Sequence, residues 1–285
     1  MDVGIFEEQN GVHNPPWVSV VIPTLNEAKN LPFVLPRIPS WVHEVIIVDG
    51  HSVDGTVEIA KSLRPDVRVC YQEGKGKGDA LRTGFEVAEG DILVMLDADG
   101  STDPAEIPAF IGILRSGADF VKGSRFMQGG GTDDMSLDRR LGNWFLTTMV
   151  KLTVGGNFSD LCYGYNAFWK KYLPNLNPNS SGFEIETVLN LHALKSGLKV
   201  AEVPSFEARR KHGESHLRAL PDGWRVLRTI LKEWVYPTLT GADQTQEFTS
   251  ESDHEDENAE YAELKAPARP RDFSYRDTYR QKMKD

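Results

Sequence analysis

The sequence predicts a three-layer α/β/α domain built on a mostly parallel sheet. From residue 18 onwards, short β-branched segments alternate with helical stretches of about 10–12 residues, the pattern of repeated β-α-β units. Polar clusters follow the ends of the predicted strands, as expected where a parallel sheet forms a binding edge. Crossover connections between parallel strands are right-handed and place helices on both faces of the sheet.

Each predicted element follows from its residue types. The segment VSVVI has the composition of a buried strand and is ended by Pro23, and the strand entered from Glu44 is ended by Asp49 and Gly50. Asp54 stands at the N-cap position of a helix, and Pro104 stands where a first helical turn tolerates proline. The predicted strands are 18–22, 45–48, 67–71, 91–96 and 119–122, and the predicted helices are 54–63, 79–88 and 104–115.

Charge and composition exclude several classes of function. The net charge of −10 provides no basic field for nucleic acid, and the two cysteines, Cys70 and Cys162, fit neither a disulfide framework nor a zinc site. The first 16 residues are acidic and polar, and no apolar run approaches the ~20 residues that span a bilayer. We therefore expect a cytoplasmic protein that does not bind nucleic acid.

The chain divides into three predicted parts. An N-terminal extension (1–16) precedes an α/β domain (17–240), and a charged tail (241–285) follows. The segment from Glu251 to Glu263 holds seven carboxylates and almost no apolar side chains. Such a segment cannot bury enough surface to offset the entropy lost on ordering, so we expect the tail to be disordered.

Acidic side chains converge on the carboxyl edge of the predicted sheet. Asp97 and Asp99 are separated by one residue, so at a strand end both carboxylates can face one cation. Grouped carboxylates are favourable around a divalent cation, and hard oxygen ligands favour Mg²⁺ or Mn²⁺ bridging to substrate phosphates. The alternative is a capping turn before the Pro104 helix, a role for which Asp103 is better placed.

A glycine-rich segment, Gly74 to Gly78, lacks the spacing of a nucleoside-triphosphate loop. Its glycines allow close backbone approach, and Lys75 or Lys77 could contact a phosphate. A mobile surface turn is the alternative interpretation.

These motifs together resemble family 2 glycosyltransferases with the GT-A fold, and in particular dolichyl-phosphate mannose synthases and related polyprenyl-phosphate sugar transferases. The resemblance extends from about Val18 to Leu217. It rests on the segments VSVVIPTLNEAKNLP, EVIIVDGHSVDGT, GKGDALRTG, GDILVMLDADGSTDP, ADFVKGSRF, RRLGN, SDLCYGYNAF, GFEIE and RRKHGESHL.

The resemblance implies a role for each matching residue. The implied nucleotide-binding residues are Pro23, Asn26, Glu27, Asp49, Asp79 and Asp97. Asp97 and Asp99 would carry the metal and the diphosphate, with Ser101 at a position where relatives often have a glutamine ligand. The residues implied to face anionic groups of donor or acceptor are Arg125, Arg139, Arg140, Arg209, Arg210, His212 and Ser215. The chain departs from the family pattern at Asn166, where arginine is usual, and at His216, where lysine is usual.

The implied reaction is inverting, metal-dependent transfer of a sugar from GDP-mannose or a UDP-hexose to a polyprenyl phosphate. A hydroxyl acceptor is the first alternative; it would need a general base, for which Asp160 is the first candidate and Glu184 or Glu186 the second. A non-catalytic sugar-nucleotide-binding protein is a further alternative, against which the intact Asp99 and Arg125 argue.

A predicted helix over 217–240 has an apolar stripe interleaved with basic residues. The stripe is Leu217, Leu220, Trp224, Leu227, Leu231 and Trp234. Two interpretations fit: a helix resting peripherally on the inner face of a membrane, or a helix packed on the sheet. The sequence does not indicate which oligomeric state the protein adopts.

Overall fold

The computed structural model describes residues 15–213 and 219–235, and within them a seven-stranded sheet lies between two layers of helices. The strands of this sheet are β1 (Val18–Thr24), β2 (Glu44–Asp49), β3 (Arg68–Tyr71), β4 (Ile92–Met95), β5 (Phe120–Ser124), β7 (Asn166–Trp169) and β8 (Val200–Pro204). A small second sheet pairs β6 (Gly131–Thr132) with β9 (Phe206–Glu207). The predictions for residues 1–14, for Ser215 and His216, for both ends of the predicted helix (217–218 and 236–240) and for the tail lie outside the described residues.

The helices lie between these strands in the chain. They are α1 (Leu31–Val34), α2 (Thr56–Leu63), α3 (Lys77–Val87), α4 (Ile107–Arg115), α5 (Leu137–Thr153), α6 (Leu173–Leu176), α7 (Ile185–Lys195) and α8 (Ala219–Val235). Short 3₁₀ helices occur at Leu35–Arg37, Pro104–Glu106 and Lys170–Tyr172.

The sheet has the order β3-β2-β1-β4-β7-β5-β8 and is mostly parallel, as predicted. Its exception is β7, which is antiparallel to both neighbours and pairs Ala167 with Val94 of β4 and with Val121 of β5. The chain passes from β1 to β2 on one side and later returns to β4 on the other side of β1. This reversal creates a crevice beyond the carboxyl ends of β1 and β4, where open α/β sheets bind ligands.

Alternation along the strands produces the three layers. Val20 and Ile22 of β1 face a core that includes side chains of α1, α2 and α4, whereas Val21 faces a second core with α3 and α7. Successive side chains of a strand point to opposite faces, so apolar residues at every position require helices on both sides. The predicted α/β/α architecture is confirmed.

Three element boundaries differ from the prediction. Pro23 does not end β1, which continues through Pro23 to Thr24 in register with Val48 and Asp49 of β2. The N-cap of α2 is Gly55, not Asp54, although the Asp54 carboxylate accepts a hydrogen bond from the Thr56 N–H at 3.1 Å. The α3 helix begins at Lys77, two residues earlier than predicted, and the Gly78 N–H donates to the Ser181 carbonyl at 2.9 Å. The early start of α3 directs Lys77 towards the sheet edge. Asp103 caps the helical turn at Pro104 as predicted, accepting from the Ala105 N–H at 2.9 Å.

The α8 helix packs on other helices. Val226 and Ile230 are buried against Leu146 and Val150 of α5 and Leu191 of α7. Near its C-terminus, Glu233 accepts a hydrogen bond from Lys195 Nζ at 2.6 Å. The packing prediction is therefore correct in part, since α8 buries one face but contacts helices and leaves Trp224 and Trp234 exposed. No helix in residues 15–213 or 219–235 is both long and apolar enough to cross a bilayer.

Candidate active site

A cavity of about 710 Å³ occupies the crevice beyond β1 and β4. Pro23 and Thr24 at the end of β1 form one wall, and Asp97 and Asp99 after β4 form another. The apolar run of β4 ends at Leu96, so the polar residues that follow emerge together at the edge of the sheet.

Lys77 joins two carboxylates in this cavity. Its Nζ lies 2.5 Å from Asp97 Oδ1 and 2.6 Å from Glu186 Oε1. Burial alone would lower the pKa of Lys77, but the two carboxylates raise it above its usual value. Burial raises the pKa of Glu186, an effect that Lys77 opposes and Asp97 reinforces. The first residue of α3 thus supplies a positive charge to the site.

Arg210 forms a second bridge on the opposite side. Its guanidinium pairs with Glu27 and places Nη1 3.5 Å from Asp99 Oδ2. Burial raises the pKa of Glu27, and the nearby Asp99 adds to this effect. The side chain of Ser101 and its N–H both donate to Asp99 Oδ1, at 2.7 and 2.9 Å.

The donor set fits a hard divalent cation. Four carboxylates pair with two cationic side chains, so the cluster carries two excess negative charges when all its groups are ionised. The carboxylates are Glu27, Asp97, Asp99 and Glu186, and the cations are Lys77 and Arg210. The described part of the chain contains no group of three histidine, cysteine or acidic side chains arranged to hold a metal. Two carboxylates with water and substrate phosphate are a common Mg²⁺ environment, and Asp97 and Asp99 can provide that pair.

Arg125 forms the cavity wall near the small sheet of β6 and β9. It donates to both carboxylate oxygens of Asp160 and, from Nη1, to Glu207 at 3.0 Å. Its guanidinium also stacks over the Tyr163 ring at 4.8 Å. Burial would lower the pKa of Arg125, but Asp160 and Glu207 raise it, so this side chain stays cationic.

The candidate bases differ in their access to the cavity. Asp160 is fully buried behind Arg125, and Glu184 is hydrogen-bonded to Ser180 at 2.6 Å; neither lines the cavity. Glu186 does line it. The expectation that Asp160 could take a proton from an acceptor hydroxyl therefore has no geometric support, since the Arg125 guanidinium already engages both of its oxygens.

The predicted nucleotide residues divide into lining and supporting groups. Pro23, Glu27 and Asp97 line the cavity. Asp49 instead accepts hydrogen bonds from the Ser52 N–H and Oγ at 2.8 and 2.6 Å, and Asn26 Oδ1 accepts from the Val53 N–H at 2.9 Å. These bonds fix the loop after β2 against the loop after β1.

Asp79 supports the glycine-rich turn, and the cavity wall at this point is the neighbouring Ala80. The Asp79 carboxylate accepts from the Gly74 N–H at 2.8 Å and pairs with Arg82. A Cβ at Gly78 would lie 2.8 Å from the Ser180 carbonyl carbon. Here glycine is required for close packing of two backbones.

The predicted basic residues do not all meet. Arg125, Arg139 and Arg210 line the cavity. Arg140 lies over the Phe126 ring at 5.6 Å, and Arg209 is exposed and donates to the Asp133 carbonyl at 3.1 Å. His212 is also exposed, and its carbonyl accepts from Arg210 Nε at 2.9 Å. His212 therefore contributes to the position of Arg210 through its backbone.

Two features of the site escape local sequence reasoning. A Cβ at Gly164 would lie 2.6 Å from Glu186 Oε1, 2.7 Å from Lys77 Nζ and 3.0 Å from Asp97 Oδ2, so this glycine makes room for the ion-pair cluster. Lys122 is fully buried beside Asn166, donates to the Tyr163 carbonyl at 2.6 Å, and has its pKa lowered by burial. A lysine directly after the apolar residues Phe120 and Val121 of a predicted strand was the available signal.

The other end of the cavity is lined by apolar side chains together with the charged residues Asp138, Arg139 and Asp222. Its lining there includes Met135, Phe145, Leu146, Trp224, Val226 and Leu227, contributed mainly by α5 and α8. On its exposed face, α5 also presents an apolar row, the α5 stripe, formed by Leu137, Leu141, Trp144 and Leu152. These positions recur on one helical face, on which Thr148 interrupts the row between Trp144 and Leu152.

Known proteins resemble this chain in sequence and in fold. The sequence profile of Glycosyl transferase family 2 matches residues 19–176. An undecaprenyl-phosphate mannosyltransferase of Micrococcus luteus is 32% identical over 212 residues, covering 70% of this chain and 87% of the relative. Glycosyltransferase AglJ of Haloferax volcanii is 32% identical over 214 residues, covering 73% of this chain and 69% of the relative.

A solved structure has the same fold. Glucosyl-3-phosphoglycerate synthase of Mycobacterium tuberculosis, in complex with Mn²⁺, uridine diphosphate and phosphoglyceric acid, matches with a TM-score of 0.61 at 22% identity. The match covers 79% of this chain and 81% of that chain.

Proposed function

The chain belongs to glycosyl transferase family 2, and on that premise we propose that it transfers a sugar, with inversion, from a nucleotide-diphosphate donor to a polyprenyl phosphate. The observation that carries the proposal is the two-ended cavity. One end presents Asp97, Asp99 and Arg210, and the other combines Arg125 and Arg139 with apolar side chains of α5 and α8. A molecule with an anionic head and a long hydrocarbon chain complements the second end.

The donor diphosphate is assigned to the end that holds Asp97 and Asp99. These carboxylates would hold Mg²⁺ or Mn²⁺, which when bound would neutralise charge on the diphosphate as the sugar leaves. The fold relative has been solved with uridine diphosphate and either Mn²⁺ or Mg²⁺. Pro23, Glu27 and Gly50 line the adjoining wall, which we assign to the nucleoside.

Arginine side chains at the cavity would stabilise the anionic groups. Arg210 is placed to contact the diphosphate, because it already spans Glu27 and Asp99. Arg125 and Arg139 lie towards the apolar end, where the acceptor phosphate would enter. A planar guanidinium can bind a phosphate through two parallel hydrogen bonds, and such preorganised charges supply much of the stabilisation of a transition state.

An ionised phosphate acceptor explains the placement of Asp160. Such an acceptor attacks the anomeric carbon without loss of a proton, so the site needs no general base. Asp160 would then serve to orient Arg125. A hydroxyl acceptor is the second candidate, supported by the cavity-lining position of Glu186 and by its raised pKa.

Membrane contact belongs to the same proposal. The α5 stripe lies on a helix that also lines the apolar end of the cavity, the exposed Trp224 lines that end, and Arg225, Arg228 and Lys232 are exposed on α8. Aromatic and aliphatic side chains beside basic ones favour an anionic lipid surface. We propose that this face rests peripherally on a membrane and receives the lipid acceptor there.

Product analysis with defined donors tests the proposal. Purified protein is incubated with Mg²⁺ or Mn²⁺ and with GDP-mannose or a UDP-hexose, in the presence and absence of a polyprenyl phosphate. We expect release of nucleoside diphosphate and formation of a sugar-phosphate lipid only when the lipid phosphate is present. Transfer to a hydroxyl compound with no product from the lipid phosphate would favour the second candidate.

A further inference from the structure

We propose that Lys77 is an internal counter-cation of the metal site, which holds Asp97 before the donor binds and releases it when metal and diphosphate enter together. The inference rests on Asp97 and Asp99 as the metal ligands of the proposed function. It adds a positioning role for Lys77, which lies in α3 and outside the segment that contains Asp97 and Asp99.

The geometry makes Lys77 a direct competitor for a metal ligand. Its ammonium lies 2.5 Å from Asp97 Oδ1, so a cation that used this oxygen would have to replace it. The Lys77 side chain is only 12% exposed and is enclosed by Glu186 and the bare backbone of Gly164. Solvent therefore screens the pair weakly, and displacement of the ammonium has an energetic cost.

Glu186 gives the displaced ammonium an anchor. Lys77 Nζ contacts Glu186 Oε1 at 2.6 Å, independently of Asp97. A lysine is a compact charge on a flexible chain, so Nζ can rotate away from Asp97 while it stays at Glu186. Because Lys77 lines the cavity, the same rotation can present it to the incoming diphosphate.

The bridge on the other side of the site is looser. Arg210 Nη1 is 3.5 Å from Asp99 Oδ2, and the other oxygen of Asp99 is held by Ser101. Asp97 is thus the carboxylate whose release limits metal entry. This asymmetry distinguishes Lys77 from Arg210 and specifies which substitution should change metal affinity.

The arrangement couples metal binding to diphosphate binding. A metal ion arriving alone must separate Lys77 from Asp97 without offering the ammonium a new partner. A metal ion arriving with a diphosphate brings anionic oxygens that Lys77 can contact. Each ligand should therefore strengthen the binding of the other by the same factor, as linkage requires.

The test measures Mn²⁺ affinity by electron paramagnetic resonance, with Mn²⁺ alone and with UDP or GDP. In Lys77→Met, Mn²⁺ alone should bind about tenfold tighter than in the wild type. This factor lies between the energies measured for exposed charge pairs and those measured for buried charge pairs. The factor by which UDP or GDP strengthens Mn²⁺ binding should be smaller in this variant than in the wild type. The matched control is Lys75→Met, since Lys75 is exposed and does not line the cavity.

Two further variants locate the effect. The gain should disappear in Lys77→Met/Asp97→Asn, because the freed ligand is then lost. Lys77→Met/Glu186→Gln should keep the gain while avoiding a buried unpaired carboxylate, and it replaces the single variant if that variant does not fold. An unchanged or weaker Mn²⁺ affinity in a folded Lys77→Met protein would overturn the inference.

The wild-type protein separates this inference from the metal assignment. If it binds no Mn²⁺ even with a nucleoside diphosphate, the assignment of Asp97 and Asp99 as ligands fails. If it binds Mn²⁺ equally well with and without the nucleotide, the metal assignment stands and the role of Lys77 is refuted.

Discussion

Asp160 and Arg125 form a two-point ion pair: Nε and Nη2 of the guanidinium donate to the two carboxylate oxygens at 2.7 and 2.9 Å. Asp160 is fully buried, whereas Arg125 reaches the cavity wall. The carboxylate is therefore linked to the cavity wall through the arginine. Fork-to-fork pairing fixes the plane of the guanidinium, which single contacts do not.

The substitution Asp160→Asn tests whether this carboxylate positions Arg125 or removes a proton. We expect turnover to fall about tenfold, equivalent to about 1.4 kcal/mol, because the guanidinium loses one of its two fixed contacts. Loss of a general base would cost roughly 10²–10⁴-fold and would change the pH dependence of turnover. Steady-state kinetics over a range of pH distinguish the two. A thousandfold fall with unchanged donor affinity would favour a hydroxyl acceptor.

Metal dependence should follow the carboxylate pair. Asp99→Asn should abolish most turnover and leave the thermal midpoint nearly unchanged, because the side chain keeps its size and its bonds to Ser101. The matched control is Asp103→Asn, a capping residue outside the cavity, where asparagine also caps well. Nucleoside diphosphate release is the readout. Full activity of Asp99→Asn, or of the wild type in EDTA, would contradict the metal assignment.

Gly164→Ala should impair the site through space alone. The added methyl group would lie within 3.0 Å of Glu186, Lys77 and Asp97, and such overpacking costs about 1–3 kcal/mol. We expect turnover to fall about tenfold or more. Gly112→Ala in α4 is the matched control, because a Cβ there meets nothing within 4 Å. Equal kinetics for the two variants would show that the cluster tolerates displacement.

If the α5 stripe contacts a membrane, charged substitutions in it should reduce binding to lipid vesicles. Leu141→Glu/Trp144→Glu should lower the partition coefficient onto anionic vesicles about tenfold, because two apolar anchors of the α5 stripe become charged. Val53→Glu is the control, since Val53 is 91% exposed in the loop before α2. Co-sedimentation measures the difference. Similar losses in both proteins would indicate a non-specific effect of charge.

The Cys162 thiol should react slowly with thiol reagents near neutral pH. Burial, with added repulsion from Asp160 and Glu186, raises the pKa of Cys162 to about 12, so little of the thiol is ionised near neutral pH. In a Cys70→Ser protein, labelling should accelerate about tenfold per pH unit as thiolate forms. Rapid labelling at pH 7 would show a more open site. A Cys162→Ser protein reports Cys70 separately.

The sequence alone determined the layered fold and the strand-end carboxylates. The alternation of β-branched segments with helical stretches identifies the buried strands and the layers around them. Asp97 and Asp99 directly follow one of these strands in the sequence, so their position at a strand end could be predicted. The Asp103 cap is likewise a local feature, encoded within three residues. These predictions succeeded because each depends on neighbouring residues only.

Tertiary structure decided which charges meet. Lys77 and Glu186 are separated by 109 positions, and Arg125 and Asp160 by 35. Insertion of the antiparallel strand β7 between β4 and β5 brings Gly164 beside Asp97, and no local pattern encodes that register. A charge pair depends on distances of a few ångströms across packed elements, whereas sequence periodicity reports only which face of an element is buried. The cationic partners of Asp97, Asp99 and Asp160 were therefore fixed by packing.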